Sequence, residues 1–81
     1  MSAFTRTEQI LEKTIWSLEE LASSSALTSR QLEGMMDKLY GIRLAMRRLD
    51  KTNPSERARF WKMSRRAVSI AVKIARLLSS T

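Results

Sequence analysis

The side chains of this sequence best equipped for chemistry with a partner are its fifteen bases, ten of them arginine. A guanidinium can grip a phosphate through two parallel hydrogen bonds, whereas an ammonium acts on it as a point charge. Wound as a helix at 100° per residue, Arg59, Lys62, Arg66, Lys73 and Arg76 fall within an arc of about 100°, with Arg65 at its edge. The spacing therefore predicts a basic stripe. Arg43, Arg47 and Arg48 form a second cluster, Arg43 and Arg47 one turn apart, which joins the stripe if its outward face lies beside it. These nine residues are the candidate nucleic-acid-binding set. The aromatics are only Phe4, Trp16, Tyr40, Phe60 and Trp61, with no basic-aromatic repeat, so contacts to phosphate are expected rather than reading of bases.

The side chains that are missing exclude much else. With no Cys and no His, the chain has no thiolate or imidazole for structural zinc, and neither Ser-His-Asp nor Cys-His catalysis is open to it. No catalytic residue and no cofactor is expected, and the reading is a protein that binds rather than an enzyme. Glu8, Glu12 and Glu19 share one helical face and in principle offer oxygens to a hard cation. Early-helix acids already have a reason to be there in the positive end of the helix dipole, so no metal site is assigned to them.

Three helices must carry these residues. Punctuation is limited to one Pro and two Gly, and the breaks fall at Ser23-Ser24-Ser25 and Thr52-Asn53-Pro54. Thr5-Arg6-Thr7-Glu8 reads as a capping box, as does Thr28-Ser29-Arg30-Gln31, where Leu27 and Leu32 add a hydrophobic staple. Asn53 caps a third segment with Pro54 at its first position. Helices are predicted over roughly 5–23, 28–50 and 54–79. Leu32, Met35, Leu39, Ile42, Met46 and Leu49 recur at heptad spacing, and Phe60, Met63, Ala67, Ile70, Ile74 and Leu77 repeat it. Phe4, Leu11, Ile15, Leu18 and Ala22 follow more loosely. Short links then favour a single all-α domain over residues 1–81, an antiparallel three-helix bundle with heptad-type seams. Gly34, Gly41 and Ala45 flank the second seam as contact positions where a backbone could come close. A competing reading, in which Leu27–Leu32 opens a helix-turn-helix and Gly41 makes its turn, would break that seam.

Charge is polarised along the chain. Residues 1–25 carry net −2, residues 26–52 net +3, and residues 53–81 net +6, for a total of +7 and an isoelectric point near 10.9. Polyanions are the first partners such a balance implies. An acidic first helix can also face a basic helix of the same chain or of a second copy.

Some apolar residues do not fit the seams. Trp61, Val68, Val72 and Ala75 lie roughly 140° from the centre of the third seam, too wide for one helix contact. A chain of 81 residues hides only about 60% of its unfolded surface, so a homo-oligomer is expected to cover part of what remains. Trp16 projects about 120° from the first seam among Glu12, Glu19 and Glu20, where it covers the bundle's flank, pairs with an Arg of helix 3 through cation-π contact, or anchors a partner. Trp16, Trp61, Val68 and Val72 are thus the candidate protein-interaction residues. Two functions follow, a nucleic-acid-binding or nucleic-acid-associated regulator and a helical adaptor or inhibitor that docks on the acidic surface of a larger protein. No membrane partner is expected, because the stretch Ala67–Leu78 is interrupted by Ser69, Lys73 and Arg76 and its apolar residues are needed in the core. The N-terminus has no continuous apolar run of the secretory kind, which points to a cytoplasmic protein.

Overall fold

Asn53 decides where the last helix begins. Its Oδ1 accepts hydrogen bonds from the backbone N–H of Ser55 at 2.9 Å and of Glu56 at 3.4 Å, and Pro54 takes the first helical position. A cap of this kind stabilises a helix by about 1 kcal/mol. Just upstream, Asp50 Oδ1 accepts from both the N–H and the hydroxyl of Thr52, which holds the Asp50 carboxyl below its ordinary range. Glu56 Oε2 reaches back to the Asp50 N–H at 3.2 Å, so the link between the second and third helices is tied from both ends.

In the computed structural model, which describes residues 2–24 and 30–79, the chain forms α1 (Ala3–Ser24), α2 (Arg30–Arg48) and α3 (Pro54–Ser79). Their lengths are about 33, 29 and 39 Å at 1.5 Å per residue. The three helices pack against one another, with no strand among the described residues, as an all-α three-helix bundle. No helix among the described residues is long and apolar enough to cross a membrane.

Two boundaries differ from the sequence expectation. α1 begins at Ala3 because Ser2, not Thr5, is its cap: Ser2 Oγ accepts from the Thr5 N–H at 3.2 Å, and the Ser2 carbonyl accepts from Arg6. Glu8 consequently lies in the second turn and is released from capping. α2 ends at Arg48 rather than at residue 50. Its expected capping box and staple, involving Leu27, Thr28 and Ser29, lie outside the described residues. α2 runs unbroken through Gly41, so there is no helix-turn-helix turn at that position.

The buried residues sharpen the heptad seams into single lines. On α2 these are Leu32, Leu39 and Met46, and on α3 Phe60, Ala67 and Ile74, each at intervals of seven. On α1 they are Leu11, Ile15 and Leu18, and Met36 completes the core. The other seam members, Met35, Ile42, Leu49, Met63, Ile70 and Leu77, are half-buried around it. A helix with two neighbours aims one line at the common axis and uses a flank against each neighbour, which is why half of each seam is only partly covered. Each fully buried large side chain, such as Phe60 or Leu39, stabilises the fold by roughly 1.5–3 kcal/mol.

One end of the bundle is aromatic. Phe4 and Phe60 meet edge to face at 5.0 Å between ring centroids, and Trp61 lies 5.1 Å from each. Arg57 sits over Phe4 at 5.5 Å and Lys51 over Phe60 at 5.6 Å. Trp61, predicted to face a partner, packs its ring against both phenylalanines and remains 37% exposed.

Candidate polyanion-binding groove

Three of the four acids of α1 are engaged on the side of α2 that carries Arg43 or just beyond its end. Glu12 Oε1 lies 3.1 Å from Arg43 Nη1, Glu8 Oε1 lies 3.0 Å from Lys51 Nζ, and Tyr40 donates its hydroxyl proton to Glu19. Glu8 and Lys51 meet by charge without hydrogen-bond alignment, and Arg43 Nε is buried without a hydrogen-bond partner. These three carboxylates therefore have basic or hydroxyl partners rather than one another, and no acidic cluster suited to a metal occurs among the described residues. Tyr40 is pushed up to about 12, first by burial and then by the hydrogen bond and negative charge of Glu19.

That arrangement leaves the cations of α3 unneutralised. The two ion pairs among the described residues use Arg43 and Lys51, so none of the seven bases of α3 is in one. Arg66 and Lys73 rise beside α2, where Arg30 and Lys38 come up to meet them across a groove of about 580 Å3. Gln31, Gly34, Met35, Ser69 and Ile70 complete its walls. A second hollow of about 280 Å3 continues along the same helix pair, sharing Lys38, Arg66 and Ile70 and reaching Gly41, Ile42, Ala45 and Met63. The result is a channel with methionine and isoleucine on its floor and four cations on its rim. A Cβ added to Gly34 or Gly41 would meet nothing within 4 Å, so these glycines are not contact points within the chain.

The expected binding residues separate accordingly. Arg66 and Lys73 line the groove, while Arg59 and Lys62 continue the same exposed face of α3. Arg65 and Arg76 are exposed farther round the helix. Arg43 turns to α1. Arg47 lies one turn from it on the same side, whereas Arg48 is exposed at the helical angle of Arg30, on the groove flank of α2. Arg30 and Lys38 were not among the expected residues. Their signal was present, since Lys38 falls beside Met35 and Ile42 on a helical wheel and thus on a flank of the second seam.

Of the interaction candidates, Trp16 is 63% exposed and has no ring or cation partner among the described residues, so of its three readings the cation-π pair with an Arg of α3 is not formed. Val68 and Val72 stay exposed on the α1 side of α3. No family model matches this chain, and neither the curated proteins nor the solved structures contain a match.

Proposed function

We propose that this protein is a small non-enzymatic nucleic-acid-binding protein whose phosphate-binding surface is the α2–α3 groove. The observation that carries the reading is the division of charge: the described ion pairs tie α1 to α2 or to the link that follows it, while Arg30, Lys38, Arg66 and Lys73 converge with none. Four cations held on two packed helices are positioned before a polyanion arrives, and an arginine majority on the stripe favours bidentate phosphate contact. A rim of charge without aromatic platforms grips a backbone and reads little sequence. In the cell such a surface supports a regulatory or nucleic-acid-associated role in the cytoplasm.

The test is fluorescence anisotropy with labelled single-stranded and duplex oligonucleotides of mixed sequence over a salt series. If the four groove cations each neutralise one phosphate, log K falls against log salt with a slope of about −3 to −4. The double variant Arg66→Glu, Lys73→Glu abolishes binding, and Arg30→Glu weakens it. A salt-independent affinity, or full binding by the double variant, rejects the proposal.

A second reading, a helical adaptor docking on an acidic surface of a larger protein, is favoured by the exposed indole of Trp16. It is distinguished by Trp16→Ala, which leaves oligonucleotide affinity unchanged under the first reading and removes a protein partner under the second.

A further inference from the structure

On the opposite flank of α3 lies a groove with no charge in its lining, Arg65 and Arg76 standing at its rim beside Val72. Ile10, Thr14 and Leu18 of α1 and Val68, Val72 and Ala75 of α3 face one another across a groove of about 340 Å3, and none of its ten lining residues is ionisable. Ile10 and Val68 are each 58% exposed. The two threonines of the groove add little polarity. Thr7 donates its hydroxyl proton to the Ala3 carbonyl and Thr14 to the Ile10 carbonyl, both at 2.8 Å, so these donors are already satisfied within α1.

We infer that this face is the interface of a homodimer, with a second copy of the chain as its occupant. Charge and exposed area select that occupant. Two chains of net +7 repel, and the α2–α3 face would set four cations against four. The α1–α2 face would require its ion pairs to be desolvated or rebuilt. The uncharged lining of the α1–α3 groove carries neither penalty and is compatible with itself, as a two-fold interface demands, with Arg65 and Arg76 left at the rim. The chain exposes 5882 Å2, whereas a compact 9.3 kDa monomer exposes about 5,000 Å2. That surplus is on the order of the 800 Å2 each partner contributes to a standard interface. The elongated outline of 43 × 22 × 16 Å adds to the surplus, and the uncovered groove is the part a second molecule removes.

Pairing α1 and α3 of one copy with α1 and α3 of the other makes a four-helix layer. On α3 the basic stripe is centred about 110° from the Val68–Val72 strip, so both polyanion grooves remain open on the outside of the dimer. Trp61, two turns before Val68, stays in the aromatic end with Phe4 and Phe60.

Sedimentation velocity and light scattering from micromolar to submillimolar concentration test the inference. The expected mass is twice 9.3 kDa, and the dimer tightens as salt rises because screening weakens the repulsion, opposite in sign to nucleic-acid binding. Val68→Glu and Ile10→Glu, both at exposed positions, give monomers with unchanged helical circular dichroism. Should either lose helicity, Val68→Gln with Val72→Gln supplies the milder variant and is expected to shift dissociation to higher concentration. A wild-type monomer throughout, a Val68→Glu dimer, or a dimer broken by Trp16→Ala but not by Val68→Glu overturns the inference. The arginine and lysine variants of the opposite groove leave the mass unchanged, so this result is independent of whether nucleic acid binds.

Discussion

Arg43 and Glu12 join α2 to α1 through a contact of 3.1 Å, which takes one of the chain's ten arginines out of the surface available to a polyanion. Arg43→Ala is therefore expected to leave oligonucleotide affinity and its salt slope nearly unchanged. Its cost in stability is under about 1 kcal/mol, since Glu12 is well exposed and the pair is screened by solvent. Arg66→Ala has the reverse signature, little change in urea unfolding but a salt slope smaller by about one. Comparing the two variants in both assays separates a structural arginine from a binding one.

Gly34 and Gly41 sit in the interior of α2 with open space where a side chain would go. Each costs the helix about 0.8–1.0 kcal/mol relative to alanine, so Gly34→Ala and Gly41→Ala should each stabilise the protein by about that amount. Two turns separate them, and the double variant should gain about 2 kcal/mol in urea unfolding monitored by circular dichroism. A loss of stability, or of self-association, in either variant would mean that a second backbone lies against this line.

The contrast between those glycines and Asn53 shows what the sequence made legible. Asn53-Pro54 announced a helix start because both signals act locally, through one side-chain acceptor and one missing N–H, and the helix begins there. Heptad spacing likewise marked Leu39 and Phe60 as core, since repetition at seven leaves a helix only one axial line. Thr5 misled because Ser2 makes an equally local cap one turn earlier. The proposed groove was half legible. Periodicity placed Arg66 and Lys73 on one stripe, but it could not assign α1 and α3 to the two flanks of α2, which depends on the hand of the bundle. With the opposite hand, Arg43 would have flanked the stripe and Lys38 would have faced Glu12. The contacts that mark the observed hand are an ion pair and a hydrogen bond, Glu12 to Arg43 and Glu19 to Tyr40.

Tyr40 offers a spectroscopic check on that same α1–α2 contact. It is the sole tyrosine, so the tyrosinate absorbance band reports one group. Burial, the Glu19 hydrogen bond and the Glu19 charge all favour the protonated phenol, and its midpoint is expected near 12 instead of 10. Because the folded value lies above the unfolded one, the contribution to stability is complete below pH 10 and is lost as pH rises towards 12. Glu19→Gln should lower the midpoint only in part, since burial is the largest cause and remains. Tyr40→Phe should remove the corresponding part of the alkaline decline in stability. A midpoint at the ordinary value in the folded protein would show that Tyr40 and Glu19 are apart in solution, and would remove one of the three links that fix which flank of α2 faces α1.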